Sequence, residues 1–174
     1  MEKRLATIND FDAIKKLYSD IIDHQKYDEY SPDWHKDIYP CDQDYITHIN
    51  NNEFYIGIID ENIVTAAVLT DGDDPIYQKV NWKYKYEENN ITVLHLFAVA
   101  VEQRRKGISK EMLDYLLEVA REKGKQVIHL DIAYGNLPAE KLYLKMGFEY
   151  TDTVDVYYED TGDMKAVVME KLLY

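Results

Sequence analysis

The stretch that most constrains this chain is residues 91–101, where almost every residue is apolar or small and His95 is the one titratable side chain from 93 to 101. Such a run suits a β-strand covered on both faces. A basic turn follows, then apolar residues at helical spacing (Ile108, Met112, Leu113, Leu116, Val119, Ala120), a stop at Gly124, and a second buried-type strand at 126–133. Strand, helix and strand joined this tightly form a right-handed crossover with a parallel pair at its centre. The fold class expected is therefore α/β, and 174 residues are enough for one ordinary domain spanning 1–174 and too few for two.

The remaining segments hang on that unit. Asn9 and Asp10 precede a helix over Phe11–His24, in which Phe11, Ile14, Leu17, Tyr18, Ile21 and Ile22 make one apolar face. A polar, aromatic loop carrying Trp34 and Pro40 leads to a short helix over 44–50, then to a hairpin of 54–59 and 63–70. Residues 71–90 have no sustained period and carry Tyr77, Trp82, Tyr84 and Tyr86, which marks a long connection of the functional or mobile kind. A short helix over 138–146 and a closing hairpin of 154–158 and 166–172 around Asp160-Thr161-Gly162-Asp163 complete the chain.

Charge and composition remove several classes of function. With 33 acidic against 20 basic residues the net charge is −13, a surface that repels nucleic acid and acidic lipid. A composition 46% hydrophobic and 13% aromatic is the reverse of a disordered chain. The longest apolar run, 96–101, falls far short of the ~20 residues of a membrane span, and Met-Glu-Lys-Arg leads into no signal region. A soluble, cytoplasmic protein is expected. Cys41 has no second cysteine to pair with, and His24, His35 and His48 show no ligand spacing with it or with each other, so no metal site is expected.

The turn Arg104-Arg105-Lys106-Gly107-Ile108-Ser109-Lys110 stands where a buried strand hands over to a helix. A helix start leaves backbone N–H groups unpaired at the positive end of the dipole, Gly107 allows close approach, and four cations raise the local potential in an acidic protein. A pyrophosphate is the ligand expected. The competing reading is a solvated basic turn before an amphipathic helix. Neither the Gly-x-Gly-x-x-Gly of a dinucleotide fold nor a Gly-Lys-Ser/Thr loop is present.

A second motif follows the second parallel strand: Asn136-x-x-Ala139-x-x-Leu142-Tyr143-x-x-x-Gly147-Phe148. Together with Leu94-His95-Leu96-Phe97-Ala98-Val99 and Arg104-x-x-Gly107-x-Ser109, it resembles the GNAT superfamily of acyl-coenzyme A-dependent N-acetyltransferases, most strongly over about 91–150. The resemblance implies a mixed sheet of about seven strands with a splayed parallel pair, four helices, and acetyl-CoA in the gap. Carried over by position, it implies that main-chain N–H groups of Arg104, Arg105, Lys106, Gly107, Ile108 and Ser109 hold the pyrophosphate. It further implies that Phe97 and Val99 pair with the pantetheine arm, that the neighbourhood of Phe97 polarises the thioester carbonyl, that Asn136 contacts the coenzyme, and that Tyr143 protonates the departing thiolate. The chain departs from the family pattern at Ser109, where Gly or Ala is usual, and at Val101 and Arg105, where Pro and Gly are common.

An alkyl amine is almost wholly protonated at neutral pH, so direct attack on a thioester needs a base. His95 is the candidate, two residues before Phe97 and so on the same face of a regular strand; some members of the family place a catalytic histidine at the matching position. The competing readings are a core histidine bonded to a carbonyl, and for Tyr143 an ordinary core aromatic. His129 and Asp131 alternate on the second strand and are left without a role.

On the acceptor side, Asp71, Asp73, Asp74, Tyr77 and Trp82 of the long connection could attract and cradle a cation, against a plain solubility role for the acids. The partner expected is a small-molecule or peptide amine, with a homodimer as the assembly to test. The alternatives are a catalytically silent acyl-CoA-binding sensor and transfer of a longer acyl group.

Overall fold

The computed structural model describes residues 1–158 and 162–174, so Asp160 and Thr161 of the expected closing turn lie outside the described residues. The strands are β1 (Glu2–Leu5), β2 (Phe54–Ile59), β3 (Asn62–Asp71), β4 (Ile91–Val99), β5 (Val127–Ala133), β6 (Glu149–Tyr158) and β7 (Gly162–Leu172). The helices are α1 (Phe11–His24), α2 (Asp42–Asn50), α3 (Ile108–Glu122) and α4 (Leu137–Lys145). The strands form one mixed sheet in the order β1-β2-β3-β4-β5-β7-β6, parallel only between β4 and β5.

Alternation along the strands supplies two cores. Tyr55, Ala67, Leu69 and Leu94 meet Met112, Leu113 and Leu116 of α3 and Tyr143 of α4 on one face. Phe54, Ile56, Ala66 and Val68 meet Ile14, Leu17, Tyr18 and Ile21 of α1 and Tyr45 of α2 on the other. Both faces being covered explains why β3 and β4 read as continuous apolar runs. Asp60 and Glu61 both take positive φ (48° and 65°) in the two-residue β2–β3 turn, whose twist suits the flanking strands. Asp10 does not cap α1 directly: its carboxylate accepts from Thr7 N at 2.7 Å and from Arg4 at 2.8 Å, closing the turn before the helix.

Two features position the site. The β4–β5 pairing consists of Ile91 with Val127, Thr92 with Ile128 and Val93 with His129, after which β4 pairs only with β3 and β5 only with β7. The parallel pair therefore parts beyond Val93 and His129, as the resemblance implied. Second, β4 carries a bulge: Ala66 faces Ala98 while Val68 faces His95, and Leu96 sits at φ 50°. That extra residue breaks the strict alternation, so the expectation that His95 and Phe97 share a face is corrected. His95 turns toward Asp74, and Phe97 packs toward Tyr143 with ring centroids 6.4 Å apart.

Residues 71–90 are not a free loop. Trp82 stacks on the buried His129 at 3.6 Å, both donate to or share a proton with Asp73, and the backbone N–H groups of Lys83 and Tyr84 donate to the buried Glu170 at 2.9 and 3.2 Å. Charge-assisted bonds of this kind to a buried carboxylate hold the connection down on the sheet.

Candidate active site

Where β4 and β5 part, a cleft of about 360 Å³ opens. Its β4 wall is Leu94, His95, Leu96 and Phe97; its β5 and α4 wall includes Asp131, Ile132, Asn136 and Tyr143. The α1–α2 connection contributes Asp33, Trp34 and Tyr39, and the 71–90 segment contributes Asp74 and Ile76.

His95 has 18% of its side chain exposed, with Nε2 3.7 Å from Asp74 Oδ2. Burial lowers its pKa below the ordinary 6.5, against the opposing pull of Asp131 and Asp74. Asp74 is held by its other oxygen, which accepts from Ile76 N at 2.9 Å. Tyr143 is 5% exposed and packs between Phe97 and Phe148. Its phenol is pushed well above the usual tyrosine range, first by burial and then by the charge of Asp131. Asp131 thus acts on both groups, and it accepts from Tyr77 Oη at 2.5 Å. A neutral imidazole, a firmly protonated phenol and the three acids Asp33, Asp74 and Asp131 in one cleft can accept a proton, donate a proton and attract a cation.

The basic turn lies at the carboxyl end of β4, the end at which the gap opens. Arg105 (φ 63°) and Gly107 (φ 85°) are both left-handed, a backbone pattern that turns neighbouring N–H groups to one side in anion-binding nests. No side chain caps the first turn of α3, and a Cβ added at Gly107 would meet nothing within 4 Å. The first N–H groups of a helix have no intrahelical partner, so this end is open to an anion. A diphosphate fits what is present. Arg104 is already engaged: its Nη1 donates to both oxygens of Asp28 at 2.9 and 2.8 Å, and its backbone N–H donates to Val101 O at 3.3 Å, which corrects the expectation that this N–H holds the pyrophosphate. Asn136 caps α4, accepting from Ala139 N at 3.4 Å, at the rim of the cleft.

The acceptor residues expected from sequence are largely elsewhere. Asp71 pairs with Lys125 at 3.2 Å at the far end of β3; Asp73 and Trp82 are occupied by His129; Tyr77 reaches the site through Asp131. Of the five, only Asp74 borders the cleft. Asp131, left without a role by the sequence, carries one signal there, a charge in an apolar strand, whereas Asp33, Trp34 and Tyr39 have no pattern that distinguishes them from loop residues.

The profile of the acetyltransferase (GNAT) family matches residues 21–148. The chain belongs to the GNAT acetyltransferase family. Human N-acetyltransferase 8 is 32% identical over 98 residues, covering 56% of this chain, and the chain spans only 39% of that relative's length. A GNAT-family acetyltransferase structure from Streptococcus agalactiae superimposes with TM-score 0.74 at 22% identity, covering 98% of this chain and 94% of that one. A Salmonella typhimurium acetyltransferase solved with its cofactor acetyl-CoA has TM-score 0.72 at 17% identity, covering 100% of this chain and 94% of the other. The GNAT fold, including its mixed seven-stranded sheet and four helices, is therefore shared over the whole chain.

Proposed function

We propose that this chain transfers an acetyl group from acetyl-CoA to a primary amine of a small molecule or peptide by direct attack. The observation that carries the reading is the parted β4–β5 pair, with an uncapped helix start at its open end and His95, Asp131 and Tyr143 inside the gap.

Backbone N–H groups of Arg105, Lys106, Gly107, Ile108 and Ser109 bind the diphosphate, with the side chains of Arg105 and Lys106 adding positive potential. The unpaired β4 edge at Phe97 and Val99 aligns the pantetheine amides, and Asn136 borders the same channel. Bound there, the coenzyme supplies an activated acyl carbonyl. The Phe97 N–H stabilises charge developing on that carbonyl oxygen. Asp74 and Asp131 draw the ammonium form of the acceptor in, and Trp34 and Tyr39 offer aromatic faces to it. His95, neutral because it is buried, takes the proton from the amine directly or through one water, and the two carboxylates stabilise the resulting imidazolium. Tyr143 gives its proton to the departing sulfur.

The test is release of free thiol when the purified protein is mixed with acetyl-CoA and a panel of polyamines, amino acids and peptides. Thiol release dependent on an amine is expected. Coenzyme binding by calorimetry without release with any amine would support the sensor instead, a reading favoured by Arg105 standing in a left-handed conformation that glycine adopts freely.

The Arg104–Asp28 pair carries a second expected outcome. Asp28→Ala frees the guanidinium beside the diphosphate site, so coenzyme A is expected to bind roughly 3- to 10-fold tighter at low salt, with the gain fading as salt rises. Calorimetry at two ionic strengths checks this; unchanged or weaker binding contradicts it.

A further inference from the structure

Leu96, the bulge residue, is a bulky side chain at φ 50°, a conformation that persists only when its surroundings hold it. Its side chain is fixed in the core against α1 and α2, 6% exposed. Its carbonyl is held from the α1 side: Tyr18 Oη donates to Leu96 O at 2.5 Å. Tyr18 is fully buried, tilted against Trp34 and Tyr45 with ring centroids 5.4 and 5.3 Å away, which leaves its hydroxyl little freedom.

The Leu96–Phe97 peptide is trans, since the described residues contain a cis bond only at Tyr39–Pro40. In a trans peptide C=O and N–H point in opposite directions. Holding the Leu96 carbonyl toward α1 therefore aims the Phe97 N–H away from α1. Neither Leu96 nor Phe97 has a register partner on β3, and pairing with β5 has ended at Val93, so this peptide stands outside the regular ladder on both sides. A donor on the carbonyl also polarises the amide and makes its N–H a stronger donor.

We propose that Tyr18 is a positioning residue for the transfer: its phenol, bonded to Leu96 O, both orients and polarises the peptide whose Phe97 N–H meets the thioester oxygen. This rests on the oxyanion role given to Phe97 above, and two observables separate the proposals.

The first is the infrared carbonyl band of bound acetyl-CoA labelled with carbon-13 at the thioester carbonyl; the second is steady-state kinetics. In the wild type the bound band is expected below that of the free thioester. In Tyr18→Phe the lowering shrinks, kcat falls about 10- to 100-fold, and KM for acetyl-CoA stays within about 3-fold. Tyr45→Phe, which removes a hydroxyl from the same aromatic cluster, is the reference: a merely structural role would make the two variants alike. If the band in Tyr18→Phe equals that of the wild type, the proposal is overturned and the oxyanion role of Phe97 stands. An unshifted band in the wild type overturns both. Should Tyr18→Phe not fold, 3-fluorotyrosine placed at position 18 keeps the shape and strengthens the donor. A further lowering of the band is then expected, and an unchanged band overturns the proposal.

Discussion

Tyr143→Phe is expected to lower kcat by about 10² to 10⁴-fold while leaving coenzyme affinity nearly unchanged. The ring lies between Phe97 and Phe148, at centroid distances of 6.4 and 5.3 Å, and a phenylalanine keeps both contacts. Removing the hydroxyl should change stability by no more than about 1 kcal/mol. What is lost is the proton. Burial and the charge of Asp131 hold the phenol protonated well past neutral pH. The same burial and charge raise the proton affinity of a thiolate released beside it, so donor and acceptor stay matched although both are displaced from their values in water. Steady-state kinetics with a saturating amine, together with thermal melts, check this; a kcat within 3-fold of wild type at unchanged stability contradicts it.

His95→Gln is expected to lower kcat/KM by about 10² to 10⁴-fold and to change the shape of its pH profile. The sign follows from the two titrating groups. The acceptor amine, with a pKa near 10.4, binds as its ammonium and gives its proton to His95, so that proton stays in the transition state and the logarithm of kcat/KM is flat in pH above the His95 midpoint and below the amine's. His95 must be neutral to take it, and burial places its midpoint below 6.5, against Asp131, Asp74 and Glu53 and together with His48. Below that midpoint the wild-type slope rises to one as protons occupy the base. The glutamine variant depends on the small free-amine fraction, so its slope is one throughout the neutral range. A variant profile that stays flat there would assign the base to another group, and Asp131 is the neighbour next in line.

The parts of the molecule that depend on local pattern were readable. The apolar face of Ile14, Leu17, Tyr18 and Ile21 set α1 at Phe11–His24, and Gly107 and Gly124 bracketed α3, each taking the positive φ that ends or opens a helix. The parallel pair and the basic turn followed from residue type and order alone. The parts that depend on distant partners were not readable. β1 is a four-residue edge strand, Glu2-Lys3-Arg4-Leu5, with no apolar alternation, held by pairing with β2 fifty or more positions away. The bulge at Leu96 is a property of two strands in register, so one strand's letters could not show that His95 and Phe97 part company.

The 71–90 segment illustrates the same limit. Its lack of period and its acids and aromatics suggested a mobile acceptor loop. Instead, Asp73 and Trp82 are engaged by His129, and the chain at Lys83 and Tyr84 by Glu170, residues that lie on β5 and β7. Long-range polar contacts decided the outcome, and composition carries no information about them. The carboxylates that line the cleft differ from those the sequence suggests: Asp74 and Asp131 lie beside His95, with Asp33 on the α1–α2 connection, and Asp71 and Asp73 are elsewhere.

Amide-resolved NMR during titration with coenzyme A tests most directly whether the parted strands and the basic turn hold the cosubstrate. The largest shifts are expected at Arg105, Lys106, Gly107, Ile108 and Ser109 and along the free edge of β4 at Phe97 and Val99. Shifts confined to the β6–β7 side of the sheet, or none at saturating coenzyme, would contradict it.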